Sequence, residues 1–180
     1  MRSKPRQLDM EGLWQYALRV LGGRGYPIAE LRDKLARRAA RGEDAAAILT
    51  RLKQYGYLND RLYAENYAAS RLANQSLGRF RVVQDLRKRR VAPAVVEAAV
   101  GEVYSGSNED QLAEEFLRRK LRKLDPVTYL AEPKNVASAY RKLRLAGFGY
   151  GAALRVLKKF AREPELLDQI EESDDHGGVA

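Results

Sequence analysis

The sequence predicts an all-α protein, an elongated array of three tandem three-helix modules with about nine helices in all. Two observations carry that expectation. Apolar residues fall at helical spacing almost throughout, and no sustained period-two alternation announces a strand. Three segments about fifty residues apart also repeat one another: Tyr16-Ala17, Tyr67-Ala68 and Phe116-Leu117 open them, and Leu35, Leu86 and Leu143 recur deeper inside. The first two segments are offset by 51 residues at both landmarks; the next offsets are 49 and 57, across an insertion carrying Pro126 and Pro133. Arrays of this kind work along a surface, not in one pocket. The modules are placed at 9–58, 59–106 and 107–161, between a flexible basic arm at 1–8 and an acidic tail at 162–180.

In the first module Asp9 is positioned to cap a helix whose inner stripe is Leu13, Ala17 and Val20/Leu21, stopped by Gly22-Gly23-Arg24-Gly25. Pro27 opens a second helix bearing Leu31 and Leu35. Gly42-Glu43-Asp44 breaks it and caps a third, with Ile48, Leu52 and Tyr55 expected on one face and Gly56 as a left-handed terminator. In the second module Asn59 or Asp60 supplies a capping acceptor, ahead of Tyr63 and Tyr67 one turn apart and of Ala64, Ala68 and Leu72. Ser76-Leu77-Gly78 is a turn, Val82/Val83 and Leu86 mark the next helix, and Pro93 starts another with Val96, Val100 and Val103 inward. Ser105-Gly106-Ser107 reads as a linker. The third module opens with capping-box spacing at Asn108 and Gln111. A helix then carries Leu112, Phe116, Leu117, Leu121 and Leu124, and Asp125-Pro126 ends the run. After the insertion, Val136, Tyr140 and Leu143 precede Gly147-Phe148, and Leu154, Leu157 and Phe160 line the last helix.

The charge is lopsided. Over 180 residues, 33 Lys and Arg face 24 acids, a net +9. From Ala161 onward one base meets seven acids, so the end carries −6 and the first 160 residues +15. A body this basic suits an anionic partner: nucleic acid, an acidic protein or a charged membrane surface. With no cysteine, disulfides and thiolate metal sites are excluded. The charged start lacks the apolar run of a secretory signal, no stretch approaches a membrane span, and the chain reads as cytoplasmic. Catalysis finds no candidates. The single histidine, His176, lies among acids, and Gly22-Gly23-x-Gly25 lacks the strand and the Lys-Ser/Thr of a phosphate loop. No cofactor or metal is implied.

One run of residues carries a family likeness. Tyr57-Leu58-Asn59-Asp60 with Tyr63, Tyr67 and Arg71, then Gly78-Arg79-Phe80-Arg81-Val82 and Leu86-Arg87-Lys88, resembles the RecX family, regulators of the bacterial recombinase RecA. Leu143-x-x-Ala146-Gly147-Phe148 is similar to a later echo of the same segment. The likeness covers most of residues 10–160 and makes Tyr57, Asp60, Tyr63, Tyr67, Gly78, Leu86, Gly147 and Phe148 mainly structural. It departs at Arg90, which stands before Val91 where the family has glycine. A side chain in left-handed geometry costs about 1–2 kcal/mol, so this helix is expected to end differently. What the resemblance implies is a monomeric bacterial cytoplasmic protein that binds the RecA–DNA filament in its groove and restrains ATP hydrolysis and strand exchange.

The residues themselves point to anion binding. Arg79 and Arg81 lead into Arg87, Lys88, Arg89 and Arg90; a second cluster holds Arg118, Arg119, Lys120, Arg122 and Lys123; and Arg37, Arg38 and Arg41 form a looser third. Dense clusters at related places in successive modules favour phosphate or acidic-protein contact over a merely solvated face. The alternative is a direct DNA binder, single- or double-stranded, whose modules are helix-turn-helix variants.

Overall fold

The structure, a computed structural model, describes residues 7–161. Most of the basic arm, the acidic tail and His176 lie outside the described residues. Within them ten α-helices follow in order: α1 (Met10–Gly23), α2 (Ile28–Ala36), α3 (Gly42–Gln54), α4 (Asp60–Gln75), α5 (Arg79–Lys88), α6 (Pro93–Tyr104), α7 (Glu109–Lys120), α8 (Pro126–Tyr129), α9 (Pro133–Leu145) and α10 (Tyr150–Phe160). The described residues contain no β-strand, only an isolated parallel bridge between Leu8 and Ala39. No described helix is long and apolar enough to cross a membrane.

The count exceeds the expected nine by α8, a single turn inside the insertion. Asp125 caps it, accepting from the Thr128 N–H and hydroxyl at 2.8 Å each, with Pro126 in its first turn. The insertion also places Leu130 fully inside the core.

The repeat landmarks hold equivalent structural places. Ala17, Ala68 and Leu117 are buried on α1, α4 and α7; Leu35, Leu86 and Leu143 are fully buried on α2, α5 and α9. By its packing the chain divides into two compact units. Unit one runs through Ala68 and adds Gln84–Val103; unit two holds Ala69–Val83 and the chain from Tyr104. In unit one α1, α2 and α3 close around Leu13, Leu31, Leu35, Ile48 and Leu52. In unit two α7, α9 and α10 close around Leu117, Val136, Leu143, Phe148 and Leu157.

Several caps match the sequence. The Asp9 carboxylate accepts the Gly12 N–H at 2.9 Å, and Asn108 accepts from Asp110 and Gln111. Asn59 caps α4 through the Leu62 N–H, while Asp60 turns to the N-terminus of α2 and accepts the Ile28 N–H at 2.8 Å. Two expectations fail at α3: its N-cap is Arg41 without a side-chain bond, and Tyr55 lies outside the buried stripe of Ile48 and Leu52. Leu124 is also exposed, because α7 stops at Lys120 and the chain has left helical phase.

The end of α5 overturns another expectation. Arg90 takes the left-handed geometry that glycine would take, with φ 61°. The Val91 N–H bonds the Leu86 carbonyl and the Arg90 N–H bonds that of Arg87, the same closing pattern that Gly56 and Gly147 make after α3 and α9. The buried Val91, three positions past the end of α5, favours that closure over a different ending, and the Arg90 guanidinium is held by Asp33 and the Ala29 carbonyl of α2. Arg90→Gly is therefore expected to be more stable than Arg90→Ala by about 1 kcal/mol, since both lose the ion pair and only glycine relieves the backbone. Urea unfolding of the two variants measures the difference; equal stabilities would rule out backbone strain at this site.

Candidate anion-binding surfaces

Burial of Val82, Val83 and Leu86 fixes which way α5 presents its charges. In unit one Arg87, Lys88 and Arg90 are exposed and Arg89 is half-buried. Three of the four meet carboxylates. Arg87 pairs with Glu97 of α6 at 2.9 Å, and Arg90 with Asp33. Arg89 pairs with Glu30 at 3.0 Å while its guanidinium lies 5.2 Å from the Tyr67 ring centroid. The Arg90 hydrogen bond holds the Asp33 carboxyl below its ordinary value. Lys88 is exposed and has no partner among the described residues. The block expected to face an anionic partner as four cations thus also fastens α5 to α2 and α6, with Lys88 alone uncommitted.

The looser cluster is likewise engaged. Arg37 donates to the Asp33 carbonyl, Arg38 lies over the Tyr16 ring, and Arg41 stands 3.7 Å from Glu43.

In unit two Arg79 is exposed, Arg71 is half-buried, and Arg81 donates to the Leu145 carbonyl at 3.3 Å. Arg118 bonds Glu114 one turn away at 2.9 Å and covers the Phe160 ring at 5.0 Å. Arg119 reaches the Asn74 carbonyl and the Ser76 hydroxyl, closing the end of α4 where Ser76 sits buried at φ 45°. Lys120 lies 5.3 Å from the Phe116 ring. Arg122 and Lys123, on the exposed turn after α7, have no partner among the described residues.

Acids of α7 are the partners of bases on α7 and α10. Asp110 receives a bidentate Arg155 at 2.7 and 2.8 Å, and Glu114 is shared by Lys159 and Arg118. Both carboxyls sit below their ordinary values, Asp110 because of the Arg155 bond, Glu114 because of Lys159 and then Arg118. The four-residue spacing of Glu114 and Arg118 was a legible signal for that pair. Nothing local signalled Glu30 and Asp33 as partners of residues almost sixty positions away.

The motif residues do structural work. Tyr67 donates to Asp85 at 3.2 Å and stacks with Tyr63, their centroids 6.2 Å apart. Gly78 and Gly147 press directly against each other: the Gly78 N–H bonds the Ala146 carbonyl at 2.9 Å, and a methyl on Gly78 would lie 2.2 Å from the Gly147 oxygen. Beside this crossing the Tyr104 hydroxyl donates to the Leu77 carbonyl at 2.8 Å, and burial pushes its pKa to about 12.

Comparison with known proteins places these features. Residues 59–100 match the family model described as RecX, second three-helix domain. A protein of Trichlorobacter lovleyi named "Regulatory protein RecX" is 33% identical over 132 residues, spanning 73% of this chain and 80% of that protein. One of the same name from Deinococcus radiodurans is 34% identical over 152 residues, spanning 82% of this chain and 68% of its own. The crystal structure of RecX from Lactobacillus salivarius shares the fold at a TM-score of 0.67 and 20% identity, covering 84% of this chain and 96% of that one.

Proposed function

The chain belongs to the RecX family of regulatory proteins, and from that footing we propose that it binds the RecA–DNA filament and restrains its ATPase and strand-exchange activities. Its relatives are named as regulators, and regulation by binding asks for surface rather than a catalytic centre. The observation that carries the reading is the set of exposed cations on a chain of +9 net charge: Lys88 on unit one, Arg122 and Lys123 on unit two, with no internal partner among the described residues. The paired arginines form a second tier. Exposed ion pairs are worth about 0–1 kcal/mol, so Arg87, Arg90 and Arg118 can exchange an internal carboxylate for a phosphate or an acidic side chain at small cost. Arg89 and Arg119 are anchors: both are tied to groups that the fold itself needs.

The test is recombinase ATPase on single-stranded DNA, titrated with this protein beside a naked-DNA binding control. Filament regulation is expected to reach half-inhibition well below the concentration that coats the DNA. Inhibition appearing only as naked DNA saturates would identify a direct DNA binder instead. For duplex DNA with about five phosphates neutralised, such a binder would show a log–log salt slope of about −4.5.

A further inference from the structure

Beyond the charged surfaces, we infer that unit one carries a base-stacking site for single-stranded nucleic acid, built on Tyr55 and Tyr57 beside Trp14 and Arg51. The two tyrosines flank Gly56, whose φ of 74° reverses the chain. The Gly56 N–H bonds the Lys53 carbonyl at 3.0 Å and the Tyr57 N–H that of Leu52 at 2.9 Å. This fixed turn puts both rings outside: Tyr55 is 62% exposed and Tyr57 56%. Neither ring hangs free. Both lean on Trp14, their centroids 6.0 and 6.5 Å from its own, and Trp14 belongs to the buried core. The Arg51 guanidinium lies 4.0 Å over the indole and 5.7 Å from the Tyr55 centroid, adding a flat cation to the same patch.

The patch adjoins a groove of about 600 Å³ whose walls include Leu18, Tyr26, Tyr57, Leu62, Tyr63 and Tyr67. No charged side chain lines it, but Asn59 and Asn66 do. Asn59 uses its oxygen to cap α4, and Asn66 is exposed without a partner among the described residues. At the edge Arg24 lies 4.1 Å over the Tyr26 ring.

A nucleobase has two π-faces and an edge of donors and acceptors, which tyrosine rings and asparagine amides complement. Its phosphates would meet Arg24 and Arg51. Duplex DNA already stacks its bases on each other, so only an unpaired strand offers them. The leucines alone would suit an aliphatic anchor of a protein partner. Tyrosines interleaved with stacked arginines favour the polyanion that also carries rings.

Trp14 is the only tryptophan, so its fluorescence reports on the site in the full-length protein. The probes are oligothymidylate, duplex DNA of equal length, and an abasic deoxyribose-phosphate oligomer of equal charge. Oligothymidylate is expected to quench Trp14 and to bind about tenfold more tightly than the abasic chain. Combined Tyr55→Ala and Tyr57→Ala should erase that gap, and the corresponding phenylalanine variant should keep it. Tyr55→Ala alone decides the matter if the double variant fails to fold, because Tyr55 is the more exposed ring. Equal affinity for base-bearing and abasic chains, or undiminished oligothymidylate binding by the alanine variants, would overturn the assignment. So would alanine variants that lose recombinase inhibition but keep the gap, which would make the patch a protein interface. The ATPase titration with the parent protein stands or falls separately.

Discussion

Gly147→Ala is expected to destabilise the protein by about 2–5 kcal/mol, read as a lower urea midpoint, and to lower its activity in proportion to the unfolded fraction. Two independent costs meet at this residue. Its φ is 89°, a conformation that charges any side chain about 1–2 kcal/mol. An added methyl would also stand 2.2 Å from the Arg81 amide nitrogen and 2.5 Å from the Arg81 Cβ. The obstacle is the backbone of α5, not the tip of a side chain that could swing away, so the overpacking cost of about 1–3 kcal/mol applies in full. The turn cannot simply move, because the next residue, Phe148, is buried and its N–H bonds the Leu143 carbonyl at 3.2 Å. Gly78→Ala tests the same crossing from the other side. It collides with the Gly147 carbonyl but carries no positive φ, so it should lose less than Gly147→Ala by the backbone part alone. Both variants within about 0.5 kcal/mol of the parent would mean that the two segments do not cross at these glycines.

That crossing marks where sequence reasoning stops. Gly78 and Gly147 each stood out within their own segments, yet a separation of 69 positions hides that each is the reason for the other. What was legible was what depends on local chemistry. Helical periodicity found the buried faces, with Leu13, Ala17, Leu31 and Leu35 where their spacing puts them. Side-chain oxygens at Asp9, Asn59 and Asn108 found the helix starts. Local propensity misled at Arg90, because tertiary demand outweighed it: Val91 has to reach the core, and the penalty of a left-handed arginine is smaller than that of exposing it. It misled again at Tyr55, whose place in the stripe is helical but lies at the C-cap, where the surface begins. Charge runs were legible as charge and not as commitment. The block from Arg87 to Arg90 looks uniform in one dimension, and only folding brings Glu30, Asp33 and Glu97 to three of its members.

From that commitment follows the second large effect. Reversing Lys88, Arg122 and Lys123 together to glutamate is expected to raise the half-inhibiting concentration for recombinase ATPase at least about tenfold at low salt, while leaving stability within about 0.5 kcal/mol of the parent. The three side chains are exposed and make no internal bond among the described residues, so reversal breaks nothing in the fold. It replaces three attractions to an anionic polymer by three repulsions, and the net charge falls by six from +9. The contrast is with Arg89→Ala, which leaves the half-buried Glu30 short of a partner and strips the cation from the Tyr67 ring. Its functional loss would be inseparable from a stability loss, and for that reason the most conspicuous basic run in the sequence is a poor place to read binding. If the three cations touch phosphate, each reversal should also flatten the log–log salt dependence of binding by about 0.7–0.9. If they touch acidic protein side chains, affinity falls without that counterion signature. Undiminished inhibition by the triple variant at low salt would remove these surfaces from the contact altogether.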